Sequence, residues 1–226
     1  MLSRLPNILN RIKKHGWRNA YNLMLHRYSE HKAENRLGIS TSHEISLAEL
    51  KISDPDSTRY SPAPYKALYK ALSAIRQKDF SGTFVDYGCG KGRVIVVAAT
   101  MPFEKVIGIE LAQSMVTAAR DNVGRANNLV CDNIEIERCD ATSYDLPKNT
   151  SVIHLYNPFR GKALSQVMHN IADLAAAVEH EILILFANPD EFERLLSEET
   201  AFKANSLTLV DEFTWPHYEC SSGLGN

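Results

Sequence analysis

Apolar and polar positions along the chain fall into blocks that predict strands and helices in regular succession. Short apolar runs predict five strands, near residues 83–87, 105–110, 134–138, 151–156 and 181–187. Stretches with apolar residues at helical spacing predict helices near residues 66–76, 91–100, 112–125, 161–178 and 189–198. Strands that alternate with helices form a parallel sheet covered on both faces. The chain is therefore predicted to be an α/β protein.

The pattern changes after Thr200. The run Leu207-Thr-Leu-Val210 predicts a sixth strand. We expect the chain then to turn through Trp215 and Pro216 toward a seventh, antiparallel strand around residues 218–221. The last five residues are predicted to be disordered.

The beginning of the chain is predicted to form two amphipathic helices separated at Gly16. Residues 1–29 contain six Arg or Lys residues and no acid. Apolar residues recur at helical spacing on both sides of the glycine, at Leu5, Ile8, Leu9 and Ile12 and then at Trp17, Tyr21, Met24, Leu25 and Tyr28. We expect both helices to dock on the domain as a cover that buries Trp17 and Tyr21. The alternatives are a mitochondrial targeting segment or a segment that lies on an anionic membrane surface.

Composition divides the chain into three segments. Residues 1–36 are the N-terminal amphipathic helical extension, and residues 37–64 form a linker rich in Ser, Thr, Asp and Pro. Residues 65–226 are long enough for one α/β domain. In the linker, Tyr60 and the prolines that follow it are predicted either to cover a ligand site or merely to set a rigid turn.

Charge and cysteine content exclude several classes of protein. The formal net charge is −2, which does not indicate a polyanionic partner. Four cysteines without a C-x-x-C pair indicate thiols in a reducing compartment and argue against a structural zinc. No apolar stretch approaches the roughly 20 residues of a membrane span. We predict a cytoplasmic protein without a metal; the mitochondrion is the alternative location.

The segment Phe84-Val-Asp-Tyr-Gly-Cys-Gly-Lys-Gly-Arg93 predicts a strand, a glycine-rich turn and a buried helix. In α/β sheets such a turn presents bare backbone N–H groups to a ligand at the start of a helix. The G-x-G-x-G spacing differs from that of dinucleotide sites and of P-loops. Asp86 would repel a pyrophosphate but suits a cationic α-amino group. The segment therefore indicates a nucleotide that carries an amino acid.

This segment resembles motif I of the class I, seven-strand Rossmann-like methyltransferases that use S-adenosylmethionine. Further acids follow the second and third strands in that family's order. The resemblance implies a three-layer α/β sheet of seven strands, here with an N-terminal helical extension. It also implies a set of residues that bind the cofactor: Tyr60 as a cover, Asp86, Gly88, Gly90 and Gly92 in the loop, Glu110 at the ribose, and Asp140 with Ala141 at the adenine.

Each of these positions also has a purely structural interpretation. The glycines are compatible with a tight turn, and Glu110 with the cap of the next helix. Asp140 precedes Ala-Thr-Ser, which is favourable N-cap chemistry. Cys89 is interpreted as a small residue that fills space and not as a nucleophile.

The fourth predicted strand ends in Tyr156-Asn157-Pro158-Phe159, which resembles a contracted Asn-Pro-Pro-aromatic motif of methyltransferases acting on nitrogen. The resemblance implies catalytic roles for Asn157 and Phe159, although the second proline is missing and Asn-Pro is also a common turn. We predict an S-adenosylmethionine-dependent methyltransferase of a nitrogen acceptor, with a protein lysine favoured. The alternatives are a small-molecule or nucleic-acid amine methyltransferase, or a catalytically silent scaffold subunit that binds the cofactor.

Overall fold

The computed structural model describes residues 5–50, 52–76, 81–187 and 207–209. Six α-helices are described there: α1 (Leu5–Leu37), α2 (Leu47–Leu50), α3 (Tyr65–Arg76), α4 (Arg93–Ala98), α5 (Gln113–Arg125) and α6 (Gly161–Ala177). The described strands are β1 (Thr83–Tyr87), β2 (Lys105–Glu110), β3 (Ile134–Arg138), β4 (Thr150–Leu155), β5 (Ile182–Phe186) and β6 (Leu207–Leu209). The first three strands have the predicted bounds, and the next two differ from the predicted bounds by one residue at each end.

The strands form one parallel sheet in the order β3-β2-β1-β4-β5-β6. The order reverses between β1 and β4, because the chain fills one half of the sheet before it starts the other. In open α/β sheets a ligand crevice forms outside the carboxyl ends of the strands at this reversal. The sheet thereby brings Asp86 of β1 directly beside His154 of β4.

The sheet is buried on both faces, which explains the nearly continuous apolar runs of its central strands. All five residues of β1 and all six of β4 are buried. On one face, α3 and the wholly buried α4 pack in one core cluster. On the other face, α6 contributes buried residues at helical spacing: Leu164, Val167, Met168, Ile171, Leu174 and Ala175.

The predicted separation of the N-terminal segment into two helices is wrong. The helix α1 continues for 33 residues, with Gly16 inside it. A glycine within a helix costs about 1 kcal/mol relative to alanine, which is too little to end a helix without a proline or a cap. The expected burial is also wrong, since Trp17 is 71% and Tyr21 is 52% exposed.

The C-terminal part of α1 is fastened to the domain by Arg93, the first residue of α4. Arg93 is buried and forms ion pairs with Glu30 and Glu34. Its Nε–H donates to Thr41 Oγ1 at 2.7 Å, and its guanidinium lies 4.3 Å from the ring centroid of Tyr65. Loss of one partner from a buried ion pair typically costs 3–5 kcal/mol, so this network fixes the helix firmly.

The linker is more ordered than its composition predicts. It contains α2 and two isolated antiparallel bridges, between Ile45 and Tyr60 and between Ser57 and Phe159. The boundaries of the three segments stay a prediction.

The C-terminal part is described only at β6, which pairs with β5 in parallel as the sixth strand. The expected seventh strand around residues 218–221, the helix near residues 189–198 and the disordered tail lie outside the described residues. No helix in the described part is long and apolar enough to cross a membrane.

Candidate functional site

A cleft opens at the carboxyl ends of β1, β2 and β4, where the strand order reverses. Eight of the ten residues predicted for the site line this cleft: Tyr60, Asp86, Gly88, Glu110, Asp140, Ala141, Asn157 and Phe159. The remaining two are Gly90 and Gly92, which are both buried in the adjoining loop. The fold therefore brings together residues that are up to one hundred positions apart in the chain.

The three glycines of the loop all have positive φ angles, 72° at Gly88, 54° at Gly90 and 78° at Gly92. The space around Gly88 and Gly90 excludes a side chain as strongly as their backbone conformation does. A Cβ at Gly90 would lie 2.2 Å from Cε2 of Tyr60, and a Cβ at Gly88 would lie 2.4 Å from Cβ of Pro158. The glycines let the linker and the turn after β4 approach the loop closely.

Four backbone N–H groups of the loop, at Gly88, Cys89, Gly90 and Gly92, have partners within the protein. Gly88 and Cys89 donate to the carbonyl of Ile109, and Gly92 donates to the carbonyl of Cys89. The N–H of Gly90 donates to the carboxylate of Glu110. The loop folds back on the end of β2, so these four N–H groups donate to acceptors within the protein. What the loop offers a ligand is close approach to its backbone.

Glu110 ends β2 and joins the loop to the start of α5. Its Oε2 accepts from Gly90 N–H at 3.0 Å, and its Oε1 accepts from Ala112 N–H at 2.8 Å. Burial raises the pKa of Glu110, although both backbone donors act in the opposite direction. A carboxylate has about four acceptor sites, so Glu110 can still accept two hydroxyl hydrogen bonds from a ribose. The predicted cap and the predicted ligand contact are compatible.

Asp86 and His154 form a buried pair at the base of the cleft. Their side chains are 3% and 1% exposed, and Nδ1 of His154 lies 2.7 Å from Oδ1 of Asp86. The ionised form of Asp86 only accepts hydrogen bonds and would take its hydrogen bond from an Nδ1–H of His154. Burial raises the pKa of Asp86, and the interaction with His154 opposes this shift.

The role of His154 is not predicted by the sequence. Its ring lies parallel to that of Tyr156, with 6.5 Å between centroids, and also stacks on Phe84. Its Nε2 is buried and has no hydrogen-bond partner among the described residues. The available signal was a histidine in an otherwise apolar strand, near the end that faces the cleft.

Asp140 has the structural role that its sequence neighbours allow. Its Oδ1 accepts from the N–H and the hydroxyl of Thr142, at 2.9 and 2.8 Å, and it caps a 3₁₀ turn over Ala141–Ser143. Asp140 is exposed and lines the cleft. Contact with an adenine stays a prediction for both Asp140 and Ala141.

Asn157 follows the end of β4 with a φ angle of 45°, in the left-handed region that asparagine tolerates better than most residues. Its side chain is exposed at the cleft. The hydroxyl of Thr58 donates to the carbonyls of Asn157 and Pro158, at 2.6 and 3.0 Å. These bonds hold the turn against the linker.

Two aromatic residues complete this side of the cleft. Phe159 packs edge-on against the buried ring of Tyr87, with 6.3 Å between centroids. The hydroxyl of Tyr60 donates to the carbonyl of Thr41 at 2.9 Å, and Lys91 Nζ lies 5.2 Å from the centroid of the Tyr60 ring. Burial raises the pKa of Tyr60, so its hydroxyl stays neutral.

Cys89 has the environment of an inert thiol. It is buried, and a Cβ at Gly108 would lie 2.8 Å from its Sγ, so the side chain fills the space above that glycine. Burial raises the pKa of Cys89 well above its usual range, which suppresses the reactive thiolate. Within the residues that the structure describes, no cluster of His, Cys, Asp or Glu could hold a metal ion.

The donor set fits S-adenosylmethionine. Acids stand at the carboxyl ends of adjacent strands, with Glu110 suited to ribose hydroxyls and Asp86 suited to a cationic amino group. Gly88 leaves room for close contact with the backbone. Two arginines line the cleft: Arg93 is already paired with Glu30 and Glu34, and Arg59 is exposed.

A protein-family model described as "Methyltransferase domain" matches residues 84–177. Curated relatives include the ribosomal protein L11 methyltransferase of Vibrio parahaemolyticus, 38% identical over 66 residues, which are 29% of this chain and 22% of that protein. The enzyme of the same name from Tolumonas auensis is 39% identical over 79 residues, 34% of this chain and 25% of that protein. The chain thus spans about a quarter or less of the length of these relatives.

Solved structures with similar folds include an RNA methyltransferase from Salinibacter ruber in complex with S-adenosyl-L-homocysteine. It is 25% identical with a TM-score of 0.39, over 49% of this chain and 67% of that one. An S-adenosylmethionine-dependent methyltransferase from Thiobacillus denitrificans is 17% identical with a TM-score of 0.43, over 62% and 52% of the two chains. Each of these superpositions covers only part of both molecules.

The matched region, residues 84–177, begins in β1 and ends with α6. It therefore contains the glycine loop, the acids at the ends of β1 and β2, and the turn after β4. Residues 84–177 thus match a methyltransferase domain, and this match together with the geometry of the cleft supports an S-adenosylmethionine-dependent methyltransferase.

Proposed function

We propose that this protein transfers a methyl group from S-adenosylmethionine to a nitrogen atom, and that the acceptor is a lysine side chain of another protein. The observation that carries the proposal is the position of Asn157. Its carboxamide is exposed at the cleft, immediately after β4 and beside the strand reversal. A carboxamide oxygen accepts a hydrogen bond from an amine N–H, which would orient the nitrogen lone pair.

The cofactor, when bound, supplies a methyl group already activated by its sulfonium charge. The protein therefore needs chiefly to bind and align the two reactants. Glu110 would accept the ribose hydroxyls. Asp86 would attract the α-amino group, with His154 fixing the orientation of its carboxylate. Tyr60, packed against Gly90, would close the cleft over the loop.

A lysine acceptor must lose a proton before it can attack. With a pKa near 10.4, only about one lysine in 2,500 is neutral at pH 7, which costs roughly 4.6 kcal/mol. An apolar pocket lowers the pKa of an amine because burial disfavours its charged form. Tyr156 and Phe159 provide such surroundings on the acceptor side of the cleft, and Tyr60 is a weaker third member.

The relatives favour a protein acceptor over the alternatives. Their name, ribosomal protein L11 methyltransferase, specifies a protein as the methylated molecule. A small-molecule or nucleic-acid amine remains the alternative acceptor, because the turn after β4 offers hydrogen bonding that also suits those nitrogens. A catalytically silent scaffold is disfavoured by the retention of Asp86, Glu110 and Asn157 in one cleft.

The test is to incubate the protein with methyl-labelled S-adenosylmethionine and a cell lysate. We expect label to enter protein, in methyl-lysine after acid hydrolysis, and Asn157→Ala to abolish most of it. Label in nucleic acid or in small molecules would show that the acceptor belongs to that class and not to proteins. Calorimetric titration with S-adenosylhomocysteine and with NAD is the control for cofactor use. Binding of S-adenosylhomocysteine without any methyl transfer would support the catalytically silent scaffold.

A further inference from the structure

Five large apolar side chains are exposed along one face of α1, and we call this set the aromatic stripe. Its members are 46–71% exposed: Trp17, Tyr21, Met24, Leu25 and Tyr28. They recur at i, i+4, i+7, i+8 and i+11, so they share one face of the helix. A contiguous exposed apolar surface of this kind marks an interaction site.

The described part of the domain leaves the aromatic stripe uncovered. The helix is held on the domain by Glu30, Glu34 and Leu37, which are partly or fully buried. At about 100° of rotation per residue, these three lie on a face roughly 160° around the helix axis from the stripe. The stripe therefore points away from the domain. Covering it requires something other than the described part of the domain.

The charge of the surrounding segment selects the partner. Residues 1–29 contain six Arg or Lys residues and no Asp or Glu. The first acids of α1, Glu30 and Glu34, face the domain and pair with Arg93. A segment that is basic in sequence thus carries a stripe of exposed aromatic and aliphatic side chains. An interfacial helix on an anionic lipid surface has this composition.

We propose that α1 lies on the surface of an anionic phospholipid bilayer, with the aromatic stripe inserted at the level of the headgroups. Trp and Tyr suit this depth because one end of each ring system is apolar and the other forms hydrogen bonds. The basic residues of the segment would be attracted to the negative surface potential of the lipid. No described helix is apolar enough to span the bilayer, so the contact is with its surface.

Two other partners fit the surface less well. A second copy of the chain would bring an identical acid-free segment, and the like charges would repel. A nucleic acid would satisfy the basic residues, but Met24 and Leu25 would gain nothing from phosphates. A lipid surface satisfies both the charge and the apolar side chains. This inference does not depend on the acceptor proposed above.

The test is co-sedimentation of the full chain with vesicles of phosphatidylglycerol and phosphatidylcholine, and with vesicles of phosphatidylcholine alone. We expect the protein to bind the anionic vesicles and to bind the neutral vesicles at least about tenfold more weakly. Binding to the anionic vesicles should also weaken in 1 M salt, where charges are screened beyond about 3 Å. The triple variant Trp17→Ser, Tyr21→Ser, Tyr28→Ser should lose at least about tenfold in partitioning. The control Asn22→Ser, exposed on another face of α1, should bind as the wild type does.

The triple variant changes only exposed side chains, so its melting temperature and its affinity for S-adenosylhomocysteine should match those of the wild type. Three results would overturn the proposal. One is equal binding to neutral and anionic vesicles. Another is absence of vesicle binding while light scattering shows a dimer that the triple variant abolishes. The third is binding to a single-stranded RNA probe in preference to the anionic vesicles.

Discussion

His154 Nδ1 and Asp86 Oδ1 lie 2.7 Å apart between two neighbouring buried strands. The pair joins the acid before the glycine loop to the strand that leads to Asn157. It therefore links the proposed cofactor side of the cleft to the proposed acceptor side. Because both side chains are almost completely buried, neither can replace its partner with bulk water.

Replacement of His154 by Leu should destabilise the protein by about 3–5 kcal/mol, the usual cost of leaving one member of a buried pair alone. The measurement is the free energy of unfolding in urea. The double variant with Asp86→Asn should lose less than the sum of the two single variants, because each removes the same interaction. Strict additivity would show that the contact contributes nothing.

Glu110→Gln should weaken the binding of S-adenosylhomocysteine by about 1.5–3 kcal/mol, the scale of hydrogen bonds to a charged group. It should also change the pH dependence of binding. Burial raises the pKa of Glu110. Ribose hydroxyls donate to the ionised form, so wild-type affinity is complete above that raised pKa and falls as the pH drops through it.

Calorimetric titration of wild type and Glu110→Gln across acidic and neutral pH measures both effects, and the variant should lack the decline caused by this group. Unchanged affinity in the variant, with the fold intact, would refute the assignment of Glu110 to the ribose.

The raised pKa of Glu110 has the opposite effect on the pH dependence of folding stability. The folded state holds the proton more tightly, so this contribution to stability is complete at low pH and is lost as the pH rises through the folded-state pKa.

Gly90→Val should abolish cofactor binding, because the backbone needs φ near 54° and the side chain would enter the ring of Tyr60. The matched control is Gly124→Ala, since a Cβ there meets nothing within 4 Å. Equilibrium dialysis with S-adenosylhomocysteine measures the difference. Wild-type binding in Gly90→Val would mean that the loop does not approach the cofactor.

Asn157→Ala should leave the affinity for S-adenosylhomocysteine nearly intact and reduce turnover by one to three decades, about 1.4–4 kcal/mol of transition-state stabilisation. Alanine at a φ of 45° also adds backbone strain. Asn128→Ala is the matched control, because Asn128 also has a positive φ, 63°, but does not line the cleft. Equal loss of activity in both variants would point to strain instead of acceptor binding.

Phe159→Ala should impair capture of the acceptor and move the pH–rate profile upward, since a wetter pocket no longer depresses the pKa of a lysine amine. Phe159 also packs on Tyr87, so Phe159→Leu serves as the variant that keeps an apolar contact. Turnover is measured against pH for all three proteins. Flat profiles in wild type and variants would exclude a titrating lysine acceptor and favour an amide or nucleobase nitrogen.

Local patterns in the sequence predict the strands and show which site residues follow which strand. Apolar runs placed β1 and β2 at their observed bounds, because a strand buried on both faces leaves a local signal. In β3, where only Ile136 is buried, the signal is the alternation of apolar and charged residues. The alternation of strands and helices implied a parallel sheet, which places Asp86 and Glu110 at the same edge. Those inferences need only local periodicity and the rules of α/β connection.

The pairing of groups across that edge depends on the tertiary fold. The bond between Asp86 and His154, the return of the Gly90 N–H to Glu110, and the anchoring of α1 by Arg93 join residues far apart in the chain. Such pairs depend on strand order and on how a helix docks, which no local pattern encodes. The same holds for α1, where the cost of Gly16 is too small to set the helix boundary and Trp17 faces outward because Glu30 and Glu34 fix the opposite face.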